Sequence, residues 1–222
     1  MKLSEKTKAI LKNFSSINNS IYIRGGNTIA TISETKNVYA KATVEEDFPI
    51  PFAIYDLSQF LNGISLFPDS ELEFTDSSYL TIKSGKSRVK YFFADPDVIT
   101  SPPEKAIDSV TYQFSFHLTA KVLDSLIKSS GVYGLPDICL ESDGSEVIFV
   151  TKDKDNETSN TVSFSVGESE VPFGFNFKID TIRIIPGNYE VEVNNKLAHF
   201  VSNYNNLEYF IALEPDSNYG VP

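Results

Sequence analysis

A strand that runs directly into a short helix is the clearest pattern in this chain. It spans Phe52–Phe67, FAIYDLSQFLNGISLF, where a few strand-forming residues are followed by apolar residues at helical spacing. Asp56 is a typical helix N-cap residue, because its carboxylate can accept hydrogen bonds from the first turn. Pro68 ends the helical pattern. The stretch is common to many α+β folds, so alone it does not identify one.

The same pattern returns in the second half of the chain. Near Phe173 the sequence reads FGFNFKIDTIRIIPGNY, with Ile179, Ile182 and Ile185 at helical spacing. Each copy is followed by alternating strands and preceded, forty to fifty residues earlier, by a lysine-rich amphipathic helix. An internal repeat of this kind predicts that the fold contains two similar structural units. The sequence therefore predicts an α+β fold of two similar domains, 1–95 and 111–222, joined by a proline-containing linker over 96–110.

Composition indicates a packed globular protein. Hydrophobic residues make up 41% of the chain, with 17 Phe and 11 Tyr, which excludes disorder. No window is apolar enough to cross a bilayer and the first residues are too polar for a secretory signal, so we expect a cytosolic protein without membrane contact. The single cysteine, Cys139, excludes an internal disulfide and fits a buried strand position.

Charge is distributed unevenly along the chain. The net charge of −11 argues against a protein that holds nucleic acid by its overall field. Residues 1–24 are different, because they contain one acid, Glu5, against five basic residues: Lys2, Lys6, Lys8, Lys12 and Arg24. This distribution predicts an acidic body with a basic surface on particular helices.

The basic residues of both predicted leading helices lie opposite apolar stripes. In the first helix the stripe is Leu3, Thr7, Ile10, Leu11 and Phe14, with Lys2 and Lys12 on the far side and Lys6 and Lys8 on the flanks. In the second, Leu118–Ser130, the stripe is Val122, Leu123, Leu126 and Ile127, with Lys121 and Lys128 opposite. A solvated helix face explains such lysines, and so does a surface that contacts backbone phosphates. The spacing alone leaves both readings open.

Catalytic and metal-binding patterns are lacking in the sequence. His117 and His199 fall in strand patterns without an accompanying motif. Gly25-Gly26 lacks the spacing of a phosphate loop and predicts the turn of a hairpin over Ser20–Ile32. We therefore expect no catalytic residue, no metal and no cofactor, and a protein that is not an enzyme.

Several stretches together resemble one family. These are MKLSEKTKAILKNFSSIN at the start, FAIYDLSQFLNGISL, the ADP at Ala94–Pro96, PGNY at Pro186–Tyr189, and IALEPDS at Ile211–Ser217. In this order they resemble the sliding clamps of T-even-type bacteriophages, the processivity factors of DNA polymerase. The resemblance implies two similar clamp domains per subunit and three subunits closed head to tail. Helices would line the hole of this ring and antiparallel sheets would form its outside.

The resemblance also implies which residues act. Basic residues of the family's channel helices correspond to Lys2, Lys12, Lys128 and Arg183, and helical phase adds Lys6, Lys8 and Lys121. Gly131 stands where a further basic residue is expected, which thins the positive lining. The joint between subunits would pair Arg88–Phe93 with Thr161–Val166 of the next subunit, through Arg88, Tyr91, Phe93, Thr161, Phe164 and Val166. A pocket for a partner peptide would include Val98, Ile99, Leu213 and Pro215.

The implied partners are duplex DNA without sequence preference, the phage DNA polymerase and an ATP-dependent clamp loader. The resemblance leaves open whether late-transcription factors also bind. The implied location is the cytoplasm of the infected bacterial host. The alternative function is an acidic two-domain protein-interaction module that does not encircle DNA and whose lysine helices face solvent.

Overall fold

The chain forms two compact units, Met1–Glu104 and Lys105–Pro222. A computed structural model describes residues 1–67, 69–103, 110–202 and 206–220. The boundary between the units falls within the predicted linker, 96–110, of which residues 104–109 lie outside the described residues, as does Pro68, the predicted helix stop.

The first unit contains two α-helices, seven strands and a 3-10 turn, Pro96–Val98, among its described residues. The helices and strands are α1 (Glu5–Ile17), β1 (Ile21–Ile23), β2 (Gly26–Ile32), β3 (Val38–Phe48), β4 (Phe52–Ile54), α2 (Leu57–Ser65), β5 (Glu71–Glu73), β6 (Tyr79–Ser84) and β7 (Ser87–Phe92).

Both helices of this unit begin at a capping side chain. Ser4 caps α1 by accepting a hydrogen bond from Thr7 N, and Asp56 caps α2 by accepting one from Gln59 N at 2.7 Å. The predicted stripe of α1 is buried, as are Leu57, Phe60 and Ile64 of α2. The helix that the first strand-to-helix pattern predicts is therefore confirmed.

The hairpin predicted over Ser20–Ile32 is wrong. β1 pairs antiparallel with β4 and β2 pairs antiparallel with β3, so β1 and β2 do not pair with each other. Gly25 and Gly26 do have positive φ, +89° and +71°, but they bend the chain instead of reversing it. Ile23 lies opposite Phe52 and Gly26 opposite Phe48, so the bent segment follows β3 and β4 along their length.

The alternating strands predicted after α2 do form, and they pair as a small antiparallel sheet in the order β5-β6-β7. β7 is its outer strand. In the part of the chain that the structure describes, no strand pairs with the free edge of β7.

The second unit has a similar order of elements, but it begins with a strand, has a 3-10 turn where the first unit has α2, and ends with an additional short strand. It contains β8 (Phe114–Leu118), α3 (Ala120–Tyr133), β9 (Asp137–Asp143), β10 (Glu146–Lys152), β11 (Val162–Glu168), β12 (Pro172–Lys178), β13 (Tyr189–Val193), β14 (Leu197–Ser202), β15 (Leu207–Ala212) and β16 (Asn218–Tyr219). One sheet has the order β11-β10-β9-β12-β16, and β8, β13, β14 and β15 pair in the order β8-β13-β14-β15. Its core is rich in aromatic rings, among them Phe149, Phe177 and Phe200.

The second copy of the strand-to-helix pattern is shorter than predicted. Only a 3-10 turn over Ile179–Thr181 forms, and Ile182 already leaves helical geometry at φ −81° and ψ 63°. Isoleucines three residues apart also suit a 3-10 turn, in which side chains at i and i+3 lie above one another. Pro186 follows shortly after Ile182 and has no backbone N–H to donate, so it cannot contribute a hydrogen bond to a further helical turn.

Cys139 lies in β9 and is fully buried, as predicted. Burial raises the pKa of its thiol to about 12, so it acts as a small apolar residue. None of the helices in the described ranges is both long and apolar enough to cross a membrane.

Candidate nucleic-acid interface

The basic residues near α1 do not all lie on the helix. Lys2 precedes the N-cap, Ser4, and its Nζ donates a hydrogen bond to Asp69 Oδ1 at 2.5 Å. This hydrogen bond raises the pKa of Lys2, and the same pair lowers the pKa of Asp69. The expectation that Lys2 projects from the helix is wrong, because the helix begins only at Glu5.

The other three lysines lie on α1 and differ in their partners. Lys8 donates to Glu5 Oε1 at 2.8 Å, one helical turn away. Lys6 and Lys12 form no ion pair with any acidic residue in the described ranges, and Lys12 is exposed. Two uncompensated cations therefore remain on this helix.

A cleft of about 350 Å³ lies between α1 and α2. Lys8 and Lys12 of α1 line it from one side, and the neutral polar face of α2 lines it from the other. The uncharged polar lining consists of Ser15 of α1 and Ser58, Asn62 and Ser65 of α2. Ammonium groups beside hydroxyl and amide donors are the groups that contact DNA phosphates without reading bases.

A buried carboxylate fixes the beginning of α1. Glu46 of β3 is only 7% exposed, and its two oxygens accept hydrogen bonds from Ser4 N and Thr7 Oγ1, each at 2.5 Å. Burial alone would raise the pKa of Glu46, but these hydrogen bonds outweigh burial and hold the pKa below its ordinary value. Sequence reasoning missed Glu46. The alternation of β3 gave a signal for it, because Glu46 occupies an inward-facing position.

In the second unit, α3 carries two of the predicted basic residues. Thr119 caps its N-terminus, and Gly134 ends it in the left-handed region at φ +66°. Lys121 is exposed and forms no ion pair among the described residues. Lys128 donates to Asp124 Oδ2 at 2.7 Å, which compensates its charge in part.

The buried face of α3 differs from the predicted stripe. Leu123 and Leu126 are buried, but Ile127 is 37% exposed, so its assignment to the core is wrong. Ser129 and Ser130 are buried instead, and each has a partner. Ser129 Oγ lies 2.7 Å from Thr151 Oγ1, and Ser130 Oγ donates to Leu135 O at 2.5 Å. Because these hydroxyls are satisfied, they can occupy positions that a hydropathy pattern assigns to solvent.

Arg183 does not lie on a helix. It follows the 3-10 turn, is exposed, and its Nε donates to Asp180 O at 2.8 Å. The expectation of a helical position for Arg183 is therefore wrong. That it faces DNA together with Lys2, Lys6, Lys8, Lys12, Lys121 and Lys128 stays a prediction.

The two strands predicted to join subunits are both edge strands of their sheets. On β7, Tyr91 packs on Phe60, while Phe93, just beyond the strand, packs on Phe52 with ring centroids 5.2 Å apart. Phe92 points the other way and is 66% exposed, a feature that the sequence did not single out. On the second unit's edge, Thr161 is exposed and Phe164 and Val166 are half-buried; Arg88 of β7 is exposed.

The four residues of the predicted peptide pocket differ in exposure. Val98 is 63% exposed, whereas Ile99 is only 7% exposed and its N–H donates to Pro96 O at 3.1 Å. In the second unit, Leu213 is half-buried and Pro215 is exposed. Of the two linker residues, Val98 is therefore the accessible one, and the pocket itself stays a prediction.

Each histidine has a carboxylate partner on a neighbouring strand. His117 Nδ1 lies 2.8 Å from Glu190 Oε1, and His199 Nε2 lies 3.2 Å from Glu208 Oε2 while its ring stacks on Phe210. Among the described residues, no group of three His, Cys, Asp or Glu side chains has a geometry that would hold a metal ion. Cross-strand pairing accounts for both histidines.

Comparison with known proteins places most of the chain in two matched regions. Residues 2–101 match the family model described as DNA polymerase processivity factor, and residues 115–215 match the one described as gp45 sliding clamp, C terminal. The sliding clamp of Vibrio phage KVP40 is 32% identical over 221 residues, which cover 96% of this chain and 99% of that protein. The chain belongs to the sliding-clamp family. The sliding clamps of Escherichia phage RB69 and Enterobacteria phage T4 are 29% and 28% identical, each over 99% of both chains.

Solved structures confirm the clamp fold of this family member. The proliferating cellular nuclear antigen of Entamoeba histolytica superposes with a TM-score of 0.68 at 13% identity, covering 96% of this chain and 97% of the other. The A. fulgidus PCNA, solved with the C-terminal region of FEN-1 bound, gives 0.69 at 13% identity over 95% and 96% of the two chains. The predicted fold class, a two-domain α+β clamp with mainly antiparallel sheets, is confirmed.

Proposed function

We propose that three copies of this chain close head to tail into a ring around duplex DNA and tether the replicative polymerase to its template. The observation that carries the proposal is the match to phage sliding clamps over 96% of the chain, through both units. The ring's action is topological and non-catalytic, because a closed ring cannot leave a duplex that it encircles.

The ring is assembled through the two edge strands. β7 of one copy adds to β11 of the next, which satisfies the free N–H and C=O groups of both edges. A head-to-tail contact of this kind closes into a ring when its rotation fits. Support comes from the position of both strands at sheet edges and from the exposure of Phe92 on β7.

The DNA side of the ring is formed by α1, α2 and α3. Lys6, Lys12 and Lys121 supply charges without an ion-pair partner among the described residues, and the α1–α2 cleft adds neutral donors. A few screened phosphate contacts hold the duplex loosely without reading sequence, so the ring can slide. The net charge of −11 disfavours DNA binding at the outer surface.

The partners follow from the same role. The polymerase binds through a short peptide, with the exposed Val98 of the first unit as an apolar anchor. The A. fulgidus PCNA structure, which holds the C-terminal region of FEN-1, supports peptide binding by this fold. An ATP-dependent loader opens the ring, and late-transcription factors are further candidate partners. The protein acts in the cytoplasm of the infected bacterial host.

Molecular mass at micromolar concentration tests this proposal. Light scattering or sedimentation of the full chain should give about 74 kDa, three times the 24.7 kDa of one chain. A mass of one chain at every concentration up to tens of micromolar would contradict the ring and favour the monomeric protein-interaction module.

A further inference from the structure

The two edge strands of the proposed ring carry opposite charge. Residues 83–92, KSGKSRVKYF, run from the end of β6 through the turn and β7, and contain four basic residues and no acid, with Arg88 and Lys90 on β7 itself. Residues 162–170, VSFSVGESE, contain Glu168 and Glu170 and no base. Opposite charge on two edges that lack a strand partner indicates that each edge meets the other.

Part of this charge has no counter-charge within its own unit. Lys83 donates to Glu73 Oε1 at 2.8 Å, and Lys90 Nζ lies 4.5 Å from the centroid of the Tyr79 ring. Lys86 and Arg88, by contrast, form no ion pair with any described acidic residue. Glu168 and Glu170 likewise form none with any described lysine or arginine.

We infer that the joint is an antiparallel pairing of β7 with β11 of a second copy, with Arg88 opposite Glu168 and Tyr91 opposite Phe164. The inference rests on the proposed ring and assigns the orientation, the register and the charge pairs of its joint. Because β7 then runs against β11, Lys86 comes to lie near Glu170 at the same end.

The faces of both strands agree with this register, since directly opposite residues share a face in an antiparallel pair. Arg88 lies opposite Lys83 on the outer face of its sheet, and Glu168 lies opposite the exposed Glu146. Tyr91 lies opposite the buried Leu80, and Phe164 opposite the buried Phe149. Charged residues therefore meet on one face and aromatic rings meet on the other.

A bulge in β11 makes both pairs possible at once. Three steps separate Arg88 from Tyr91, but four separate Phe164 from Glu168. β10 pairs Ile148 with Ser165 and Val147 with Gly167, so Val166 is the extra residue. Without it, one of the two pairs would place its members on opposite faces.

A parallel joint would not match these features. It would bring Lys86 and Arg88 beside the uncharged start of β11 and leave Glu168 beside Phe92. The antiparallel joint instead pairs charge with charge at one end and apolar residues at the other. Because exposed charges are screened, salt weakens such a joint, and its closure around DNA becomes sensitive to ionic strength.

Charge reversal on one edge, followed by reversal on both, tests the inference by sedimentation of the full chain. Lys86→Glu with Arg88→Glu places like charges opposite each other. We expect about threefold weakening at each joint, hence about 30-fold in the trimer dissociation constant, because three equivalent joints break. Adding Glu168→Lys and Glu170→Lys to the same chain exchanges the two edges and should restore most of the wild-type stability.

A matched control has the same change in net charge. Lys36→Glu with Lys196→Glu alters two exposed turn residues away from both edges and should leave assembly unchanged. Raising the salt from about 0.05 M to about 0.5 M should weaken the wild-type trimer and, because it screens the like charges, strengthen the trimer of the chain with one reversed edge.

Two results overturn different claims. A wild-type chain that stays monomeric would contradict both the proposed ring and this joint. A wild-type trimer overturns the joint alone if edge reversal acts no more strongly than the control, or if the exchanged chain assembles no better than the chain with one reversed edge.

Discussion

The ring of Tyr91, on the edge strand β7, packs edge-on against the ring of Phe60 in α2, with centroids 5.0 Å apart. The Tyr91 hydroxyl also donates to Asp56 O, the residue that caps α2, at 3.3 Å. The strand proposed to join subunits is thus attached to a helix proposed to face DNA. A substitution at Tyr91 would disturb the subunit itself, so loss of assembly in such a variant would not be specific to the joint.

Phe92→Asp is the more specific probe of assembly. Phe92 is 66% exposed in the single chain, and we expect it to be covered in the ring. Losing this burial and adding a charge should cost about 2 kcal/mol at each joint, so the trimer should dissociate at micromolar concentration. Sedimentation checks this, with circular dichroism to show that the subunit stays folded. Val98→Asp, at a residue similarly exposed but outside both edges, should remain trimeric.

Val98→Asp should instead weaken binding of the polymerase peptide. Val98 is 63% exposed, whereas Ile99 is buried and its replacement by Asp would destabilise the unit. We expect about 30-fold weaker binding, corresponding to about 2 kcal/mol of lost apolar contact. Calorimetric titration with a peptide from the C-terminus of the polymerase measures it. If the Val98→Asp chain bound the peptide with wild-type affinity, the prediction that Val98 lines the peptide pocket would be wrong.

Two lysines without ion-pair partners among the described residues should dominate the DNA contact. Lys12→Glu with Lys121→Glu should shorten the products of processive synthesis and lower the salt slope of DNA binding by about 1 unit per lost phosphate contact. Lys128 is already paired with Asp124, so Lys128→Glu should have a smaller effect. Primer extension on a long template with the loader present checks both. If Lys12→Glu and Lys36→Glu had equal effects, the prediction that Lys12 contacts DNA would be wrong.

Glu46 should make the stability of the first unit depend on acid pH. Because its folded-state pKa lies below the ordinary value of 4.5, its contribution is complete above that pH and is lost as the pH falls through the folded-state pKa. Glu46→Gln should lower the free energy of unfolding by about 2 kcal/mol at pH 7, with the difference shrinking in acid.

Urea unfolding at pH 7 and below pH 4 measures this difference. The exposed neighbour supplies the control, since Glu45→Gln should change little at either pH. A Glu46→Gln chain as stable as wild type at pH 7 would show that the two hydrogen bonds at Ser4 and Thr7 contribute nothing net.

Local signals in the sequence predicted the three α-helices, α1, α2 and α3. Asp56 and the apolar spacing after it lie within one short stretch, and capping and burial depend on neighbours a few residues away. The hairpin at Gly25-Gly26 failed because residues suited to positive φ serve bends as well as reversals. The true partner of β1 is β4, about thirty residues further along, which no local pattern reveals.

The same difference between local signals and long-range contacts applies to the candidate site. Helical phase placed Lys6, Lys8 and Lys12 on α1 correctly, because they lie on one continuous helix. It could not reveal that Asp69 binds Lys2 across 67 residues, a contact that depends on the folded chain. Phe92 was missed because the residues of an edge strand give no sign of which face of a small sheet is left uncovered.

Retention on circular and linear DNA tests the central claim most directly. The protein is loaded by its loader onto singly nicked circular DNA and freed of unbound protein by gel filtration at high salt. Half of the sample is then cut at one site. Encirclement predicts that the protein stays on the uncut circles and leaves the linear molecules over their ends. Equal retention on both, or equal loss from both at high salt, would contradict a closed ring around the duplex.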